Sequence, residues 1–85
     1  MKKTSIVKAI ELLDTINMTS KPTITLNAFC LRVYGYSNHE IGRQLDVDAE
    51  TVRQWILKLK KLSLDNQRII LHGSVDYYIL LQGGI

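Results

Sequence analysis

The sequence contains few of the residues that cross-link a chain or interrupt its secondary structure: one cysteine, one proline and five glycines. A single cysteine, Cys30, excludes an intramolecular disulfide and is typical of a reducing cytosol. No uncharged run reaches the roughly 20 residues that a membrane-spanning helix needs. Charges at Lys8, Glu11 and Asp14 interrupt what would be the core of a signal peptide. We therefore expect a cytoplasmic protein with no membrane partner.

Groups that carry chemistry are also sparse. The sequence has no Ser, His and Asp grouping, no glycine-rich phosphate loop and no paired carboxylates. The two histidines, His39 and His72, lie in different predicted elements and lack partner ligands for a metal. These absences predict a protein that is not an enzyme and that binds no cofactor or metal.

What is present indicates one small folded domain over residues 1–85. Apolar residues make up 46% of the chain and charged residues 22%, which argues against disorder. A chain of this size buries only about 60–65% of its unfolded surface, so a dimer interface would add stability. The net charge is only +3, which predicts modest general attraction to nucleic acid.

Residues 37–62 have the pattern of two helices joined by a tight turn. Ser37 and Glu40 form an S-x-x-E capping box, which predicts a helix that begins at Asn38. Asp46 and Asp48 interrupt the apolar pattern and predict the turn, and Asp48 is a suitable N-cap for a second helix. The pattern is therefore that of a helix-turn-helix.

The second helix, over residues 49–62, is predicted to be amphipathic. Val52, Ile56 and Leu59 recur at helical spacing, with Trp55 beside them, and form one apolar stripe. We expect Trp55 to pack in the core rather than stack on DNA. The opposite face would then be free to enter the major groove.

Arginine makes two hydrogen bonds to the edge of guanine, and glutamine makes two to the edge of adenine. Arg53 and Gln54 are therefore the best candidates for base contacts. Lysines near the end of the same helix would lie close to phosphates, where they add affinity but no sequence information. The base contacts predicted from side-chain chemistry are Arg53 and Gln54, and Glu50 and Leu57 lie on the same face of the helix. The predicted phosphate contacts are Arg43, Thr51, Lys58 and Lys61.

The motif resembles the DNA-binding helix-turn-helix of LuxR-type regulators, and region 4 of sigma factors shares much of it. The matching residues are 35–42 (GYSNHEIG), Leu45, Val47, 51–53 (TVR) and 59–62 (LKKL). The resemblance implies that the helix after the turn is a recognition helix. Carried over by position, it implies base contacts by Glu50, Arg53, Gln54 and Leu57 and contacts to the DNA backbone by Lys58 and Lys61. It also implies transcription regulators that commonly act as dimers.

Three residues depart from that motif. Gly42 stands where alanine is usual, and Trp55 replaces a smaller or polar residue. Asp46 takes the turn position usually held by glycine, although aspartate tolerates the left-handed backbone better than most residues.

Two further helices are predicted before the motif, the first over about residues 5–17 and the second capped by Thr25 and ended by Gly35. After Leu62, two β-rich runs flank Gly73 and Ser74, which predicts a hairpin over residues 68–82. The expected fold is thus mainly α with a small C-terminal β-hairpin: a winged helix-turn-helix of about four helices plus a two-stranded wing. This layout resembles MarR-like winged repressors, whereas LuxR-type domains end in another helix.

The sequence predicts a transcription regulator that binds double-stranded DNA, as a homodimer on a short inverted repeat. We expect dimerisation through the first helix and the hairpin. The small size suits a phage or mobile-element regulator. The alternative is a protein-binding module that has kept the fold but does not read DNA, with RNA polymerase or another regulator as its partner.

Overall fold

The computed structural model describes residues 2–83, which form five α-helices joined by short connections. The helices are α1 (Lys2–Thr15), α2 (Pro22–Val33), α3 (Asn38–Leu45), α4 (Ala49–Lys60) and α5 (Leu64–Leu81). The predicted domain of residues 1–85 also includes Met1, Gly84 and Ile85, which lie outside the described residues. All five helices contribute side chains to one buried apolar cluster.

The ends of α1 and α2 are set by local backbone chemistry. Asn17 adopts a positive φ of 52° after α1, and the N–H of Met18 donates to Leu13 O at 3.1 Å. Gly35 (φ 100°) ends α2 in the same way, as predicted, with the N–H of Tyr36 donating to Leu31 O at 3.2 Å. Both helices therefore end with the six-to-one hydrogen bond of a Schellman motif.

The start of α2 differs from the prediction that Thr25 caps it. The helix begins at Pro22, whose fixed φ suits the first helical position. Thr25 lies within the helix, is fully buried, and its hydroxyl donates to Lys21 O at 2.8 Å. The predicted first helix, over about residues 5–17, is also displaced, since α1 runs from Lys2 to Thr15.

The predicted C-terminal β-hairpin is wrong, and with it the winged layout of four helices plus a wing. Residues 68–82 belong to α5 and its last turn, and no strand occurs between residues 2 and 83. Ser63 caps this helix, its hydroxyl accepting the N–H of Asn66 at 3.2 Å. Ser74, read from the sequence as half of a turn, donates its hydroxyl to Ile70 O at 2.7 Å inside the helix.

Gly73 is a point of close helix contact rather than a turn residue. A Cβ at this position would overlap the Cβ of Ala9 and lie 2.8 Å from the carbonyl oxygen of Ser5. The missing side chain therefore lets α5 approach α1 closely. The Ser5 hydroxyl also bonds to the carboxylate of Asp76, which ties the two helices together near the same crossing.

This crossing also corrects the proposed dimer surface. Ile6, Ala9 and Leu13 of α1 are buried within the chain, where α1 packs against α5. These apolar residues of the first helix are therefore covered intramolecularly, and residues 2–83 contain no hairpin to pair with them in a second subunit. In the part of the chain that the structure covers, no helix combines the length and apolarity required to cross a membrane.

Candidate nucleic-acid interface

The helix-turn-helix begins with the predicted capping box. The N–H of Glu40 donates to Ser37 Oγ at 3.2 Å, and the N–H of Ser37 donates to Glu40 Oε1 at 2.8 Å. These hydrogen bonds, with Arg43 as a further positive neighbour, lower the pKa of Glu40. The start of α3 at Asn38 is thus confirmed.

The turn between α3 and α4 depends on two of the residues that depart from the LuxR-type motif. Asp46 adopts the left-handed conformation (φ 56°, ψ 48°), and the N–H of Val47 donates to Gly42 O at 2.9 Å. A Cβ at Gly42 would lie 2.5 Å from Val47 O and 3.3 Å from Ala49 N. The chain can turn this tightly against α3 because residue 42 has no side chain.

Helix α4 starts at Ala49, where the Asp48 carboxylate accepts the N–H of Glu50 at 3.1 Å and confirms Asp48 as the N-cap. The helix ends at Lys60, two residues before the predicted end. One face of α4 is buried, and it consists of the predicted stripe with Trp55: Val52, Trp55, Ile56 and Leu59. Trp55 is only 5% exposed and shares its cluster with Phe29, so its predicted place in the core is confirmed.

The outward face of α4 carries the predicted base contacts. Residues 50, 54, 57 and 61 follow one another at helical spacing, and residue 53 lies beside them. All five side chains are exposed, including the apolar Leu57 at 38%. The fold therefore leaves an exposed surface opposite the buried face, and Leu57 is the one apolar residue among these five.

Glu50, Arg53 and Gln54 form one hydrogen-bonded group on that surface. Arg53 Nε donates to Glu50 Oε1 at 2.9 Å, and Arg53 Nη2 donates to Glu50 Oε2 at 2.7 Å. Gln54 Nε2 donates to the same Oε2 at 2.9 Å. Spacings of three and four residues allow these contacts on a helix, so the sequence contained the signal for this pairing. The predicted role of these residues as separate base contacts does not include this pairing.

The electrostatics of this group follow from the same bonds. The hydrogen bonds from Arg53, then that from Gln54, lower the pKa of Glu50 from its usual 4.5 to about 2. The carboxylate in turn raises the pKa of Arg53. Both side chains remain more than half exposed, at 51% for Arg53 and 58% for Glu50. Glu50 is thus ionised at every physiological pH and partly neutralises the cation beside it.

Of the four predicted phosphate contacts, Lys58 and Lys61 line one groove, and Arg43 and Thr51 do not. Lys58 Nζ lies 3.4 Å from Met18 O, and Lys61 lines the same shallow groove beside residues 16–18. Arg43 lies in the last turn of α3. Thr51 is half-buried and shares a groove with Asp46 and Asp48, so two acids lie near it.

Cys30 is fully buried on α2, and this burial raises the pKa of its thiol. Within residues 2–83, no three histidine, cysteine, aspartate or glutamate side chains lie close enough together to hold a metal ion.

Comparison of the chain with protein-family models, with curated proteins and with solved structures finds no match.

Proposed function

We propose that this chain binds double-stranded DNA through α4 and regulates transcription. The observation that carries the proposal is the two-faced character of α4: its apolar stripe is buried, and its outward face presents Arg53 and Gln54 to solvent. A helix held in this way behind a short capped helix and a tight turn is suited to enter the major groove.

The rest of the fold supports the proposal in two ways. Helix α5 removes the difference in layout from LuxR-type domains, since a helix and not a hairpin follows α4. The three residues that depart from the motif have structural explanations: Gly42 admits the backbone of the turn, Asp46 adopts a left-handed φ, and Trp55 fills the core.

In the proposed complex, Arg53 and Gln54 contact base edges, and Leu57 lies where a thymine methyl group would meet it. Lys61 and Arg43 contact phosphates, and Lys58 joins them by giving up its long bond to Met18 O. Thr51 is the weakest of the phosphate contacts because of the two acids beside it.

The modest charge favours binding as a homodimer. The net charge is +3, and Glu50 lies among the residues that would approach the DNA. Few phosphate contacts per subunit mean weak binding by one copy, whereas two copies on an inverted repeat double the contacts. The single buried cysteine, Cys30, suits a location in the reducing cytoplasm.

The test is selection from a random double-stranded DNA library by the purified protein at about 150 mM salt, the physiological ionic strength. An enriched inverted repeat would support specific binding and give the half-site spacing. A folded protein that enriches no sequence would overturn the proposal.

Two variants separate the proposed roles on the selected DNA. Arg53→Ala is expected to relax preference at one base pair by roughly 5- to 150-fold, the range for one bidentate contact. Lys61→Ala should weaken binding to all sequences alike and reduce the salt slope by about one. Lys8→Ala is the control, because it removes one exposed cation from α1. Equal losses for Arg53→Ala on selected and random DNA would contradict base reading.

The second candidate is a protein-binding module, with RNA polymerase or another regulator as partner. The exposed Leu57 and the pairing of Arg53 with Glu50 favour it, because both make the α4 surface less cationic and more apolar. Retention on heparin distinguishes the two candidates. A DNA-binding protein elutes well above physiological salt, and a protein-binding module does not.

A further inference from the structure

The contacts of Glu50 suggest a more specific role than the base contact predicted from the sequence. Its two carboxylate oxygens accept three hydrogen bonds from Arg53 and Gln54. A carboxylate has no proton to donate at neutral pH, so in the major groove it can accept only from the amino groups of cytosine or adenine. The lone pairs that would do so are largely occupied by its neighbours on α4.

The arginine edge that Glu50 occupies is the one formed by Nε and Nη2. The opposite edge, formed by Nη1 and the second hydrogen of Nη2, donates no hydrogen bond to another group in residues 2–83. A guanine requires two parallel donors for its O6 and N7 atoms. The remaining edge of Arg53 provides two such donors while the contact with Glu50 is kept.

Holding an arginine in one conformation reduces what binding must order. A free arginine side chain loses rotamer entropy when it docks on a base, and that loss weakens the complex. An arginine already fixed by a planar carboxylate has lost part of this freedom in the unbound protein. Gln54 is held by the same Oε2 atom and keeps its own carbonyl oxygen and one N–H for an adenine.

The charge of Glu50 has a separate consequence. A carboxylate on the surface that faces DNA repels phosphates, and this penalty falls on every sequence. Only DNA with a guanine at the right position offsets the penalty through Arg53. A repulsive element of this kind increases the difference between correct and incorrect partners, at the expense of overall affinity.

We propose that Glu50 is a positioning residue that sets the sequence specificity of α4: it holds Arg53 for a guanine and disfavours DNA that lacks one. This inference rests on the proposed DNA-binding function. Glu50 acts through Arg53 and does not itself read a base.

The experiment starts from the DNA selected by the wild-type protein. The guanine read by Arg53 is identified as the base pair at which Arg53→Ala loses its preference. Dissociation constants are then measured on the selected site, on the site with that guanine replaced, and on random DNA. The variants are Glu50→Ala, Arg53→Ala and the double variant. Asp65→Ala is the matched control, because Asp65 lies three residues before Arg68 on α5 in the same i,i+3 arrangement.

Glu50→Ala is expected to bind random DNA roughly three- to tenfold more tightly, because one negative charge is removed from the surface that faces the phosphates. Its preference for the guanine should fall by about tenfold, part of the 5- to 150-fold range of one bidentate contact. The double variant should show the same preference for the guanine as Arg53→Ala alone, since Glu50 has no function at this position without the arginine. Asp65→Ala should change neither quantity more than about twofold, because Asp65 lies on α5 and is not one of the predicted DNA contacts.

Three results would overturn the proposal, and they differ in what else they overturn. If the wild-type protein enriches no DNA sequence, the proposed function fails and this inference fails with it. If Glu50→Ala keeps the full preference for guanine, the protein still reads DNA and only the positioning role is wrong. If Asp65→Ala matches Glu50→Ala, the effect is one of net charge and not of arginine position.

Discussion

The helix-turn-helix and the α1–α5 crossing each contain a buried glycine, but the two glycines make room for different partners. Gly42 admits the backbone of Val47 and Ala49, which follow it by five and seven residues in the chain. Gly73 admits Ser5 and Ala9, which precede it by more than sixty residues. The first glycine is part of a motif that can be recognised locally. The second allows a close contact that exists only when α1 and α5 are packed together.

The comparison explains which predictions were confirmed. The capping box of Ser37 and Glu40, the N-cap Asp48 and the left-handed Asp46 are side-chain or backbone preferences expressed within a few residues. The hairpin depended on reading Gly73 and Ser74 as a turn, which the tertiary contact overrules. The four predictions that follow test this division, from the largest expected effect to the smallest.

Replacing Trp55 tests the core beneath the helix-turn-helix. Trp55→Ala should lower the free energy of unfolding by roughly 3–5 kcal/mol, because it removes a buried indole and leaves a cavity. Leu57→Ala, on the opposite face of α4, is the matched control and should cost about 0.5 kcal/mol or less. Urea denaturation measures both. A Trp55→Ala midpoint close to that of the wild-type protein would contradict the assigned burial.

Gly73→Ala tests the crossing between distant helices. The added Cβ should destabilise the protein by about 1–3 kcal/mol, although alanine itself favours a helix by up to about 1 kcal/mol. Adding Ala9→Gly removes the atom that the new Cβ overlaps. The double variant should therefore lose less stability than the two single variants together. Strictly additive losses in urea denaturation would show that the two positions are not in contact.

Gly42→Ala differs from Gly73→Ala in the atom that the new Cβ meets first. At residue 42 that atom belongs to the backbone, whereas at residue 73 it belongs to a side chain. We expect a loss of about 1–3 kcal/mol, since the new Cβ would press on the carbonyl oxygen of Val47. No side-chain substitution can remove that oxygen. Val47→Ala combined with Gly42→Ala should therefore give an additive loss, in contrast to the rescue at Gly73. Recovery of stability in this pair would contradict the backbone contact.

The smallest effect concerns the pH dependence of the Glu50 pairing. The pKa of Glu50 is lowered from 4.5 to about 2, so the folded state binds fewer protons than the unfolded state in this window. The stabilisation from the pairing is fully present above pH 4.5 and is lost as the pH falls towards 2. It is small, because both side chains are exposed. The difference in urea midpoint between the wild-type protein and Glu50→Gln should shrink over this range. A difference that stays constant from pH 6 to about 2 would argue against the pairing.

The error at the C-terminus was not caused by a lack of signals. Ser63, with Asp65 and Asn66 after it, has the composition of a helix start. Ile70, Gly73, Ser74 and Tyr77 also follow helical spacing. These signals competed with a run of β-branched and aromatic residues and with a Gly-Ser pair, which favour a hairpin. Strand propensity is a weak guide here because it depends on what the residues pack against.

The candidate interface shows the same division. The sequence identified which face of α4 is buried, because the apolar spacing of Val52, Ile56 and Leu59 leaves only one solution for a helix. It did not show that Glu50 holds Arg53 and Gln54 together, because several rotamers of each side chain satisfy the same spacing. It also did not show that Lys58 reaches the carbonyl of Met18, forty residues earlier in the chain.

The amino-acid sequence by itself determined the helix-turn-helix: its caps and its turn follow from interactions within a few residues, and its apolar stripe follows from the spacing of residues along α4. Only the tertiary structure decided that residues 64–81 form a helix. Gly73 is compatible with a turn or with a helix, and the close approach of Ala9 and Ser5 stabilises the helix. Interactions between distant segments have no local signature, because their energy exists only once both segments are in place.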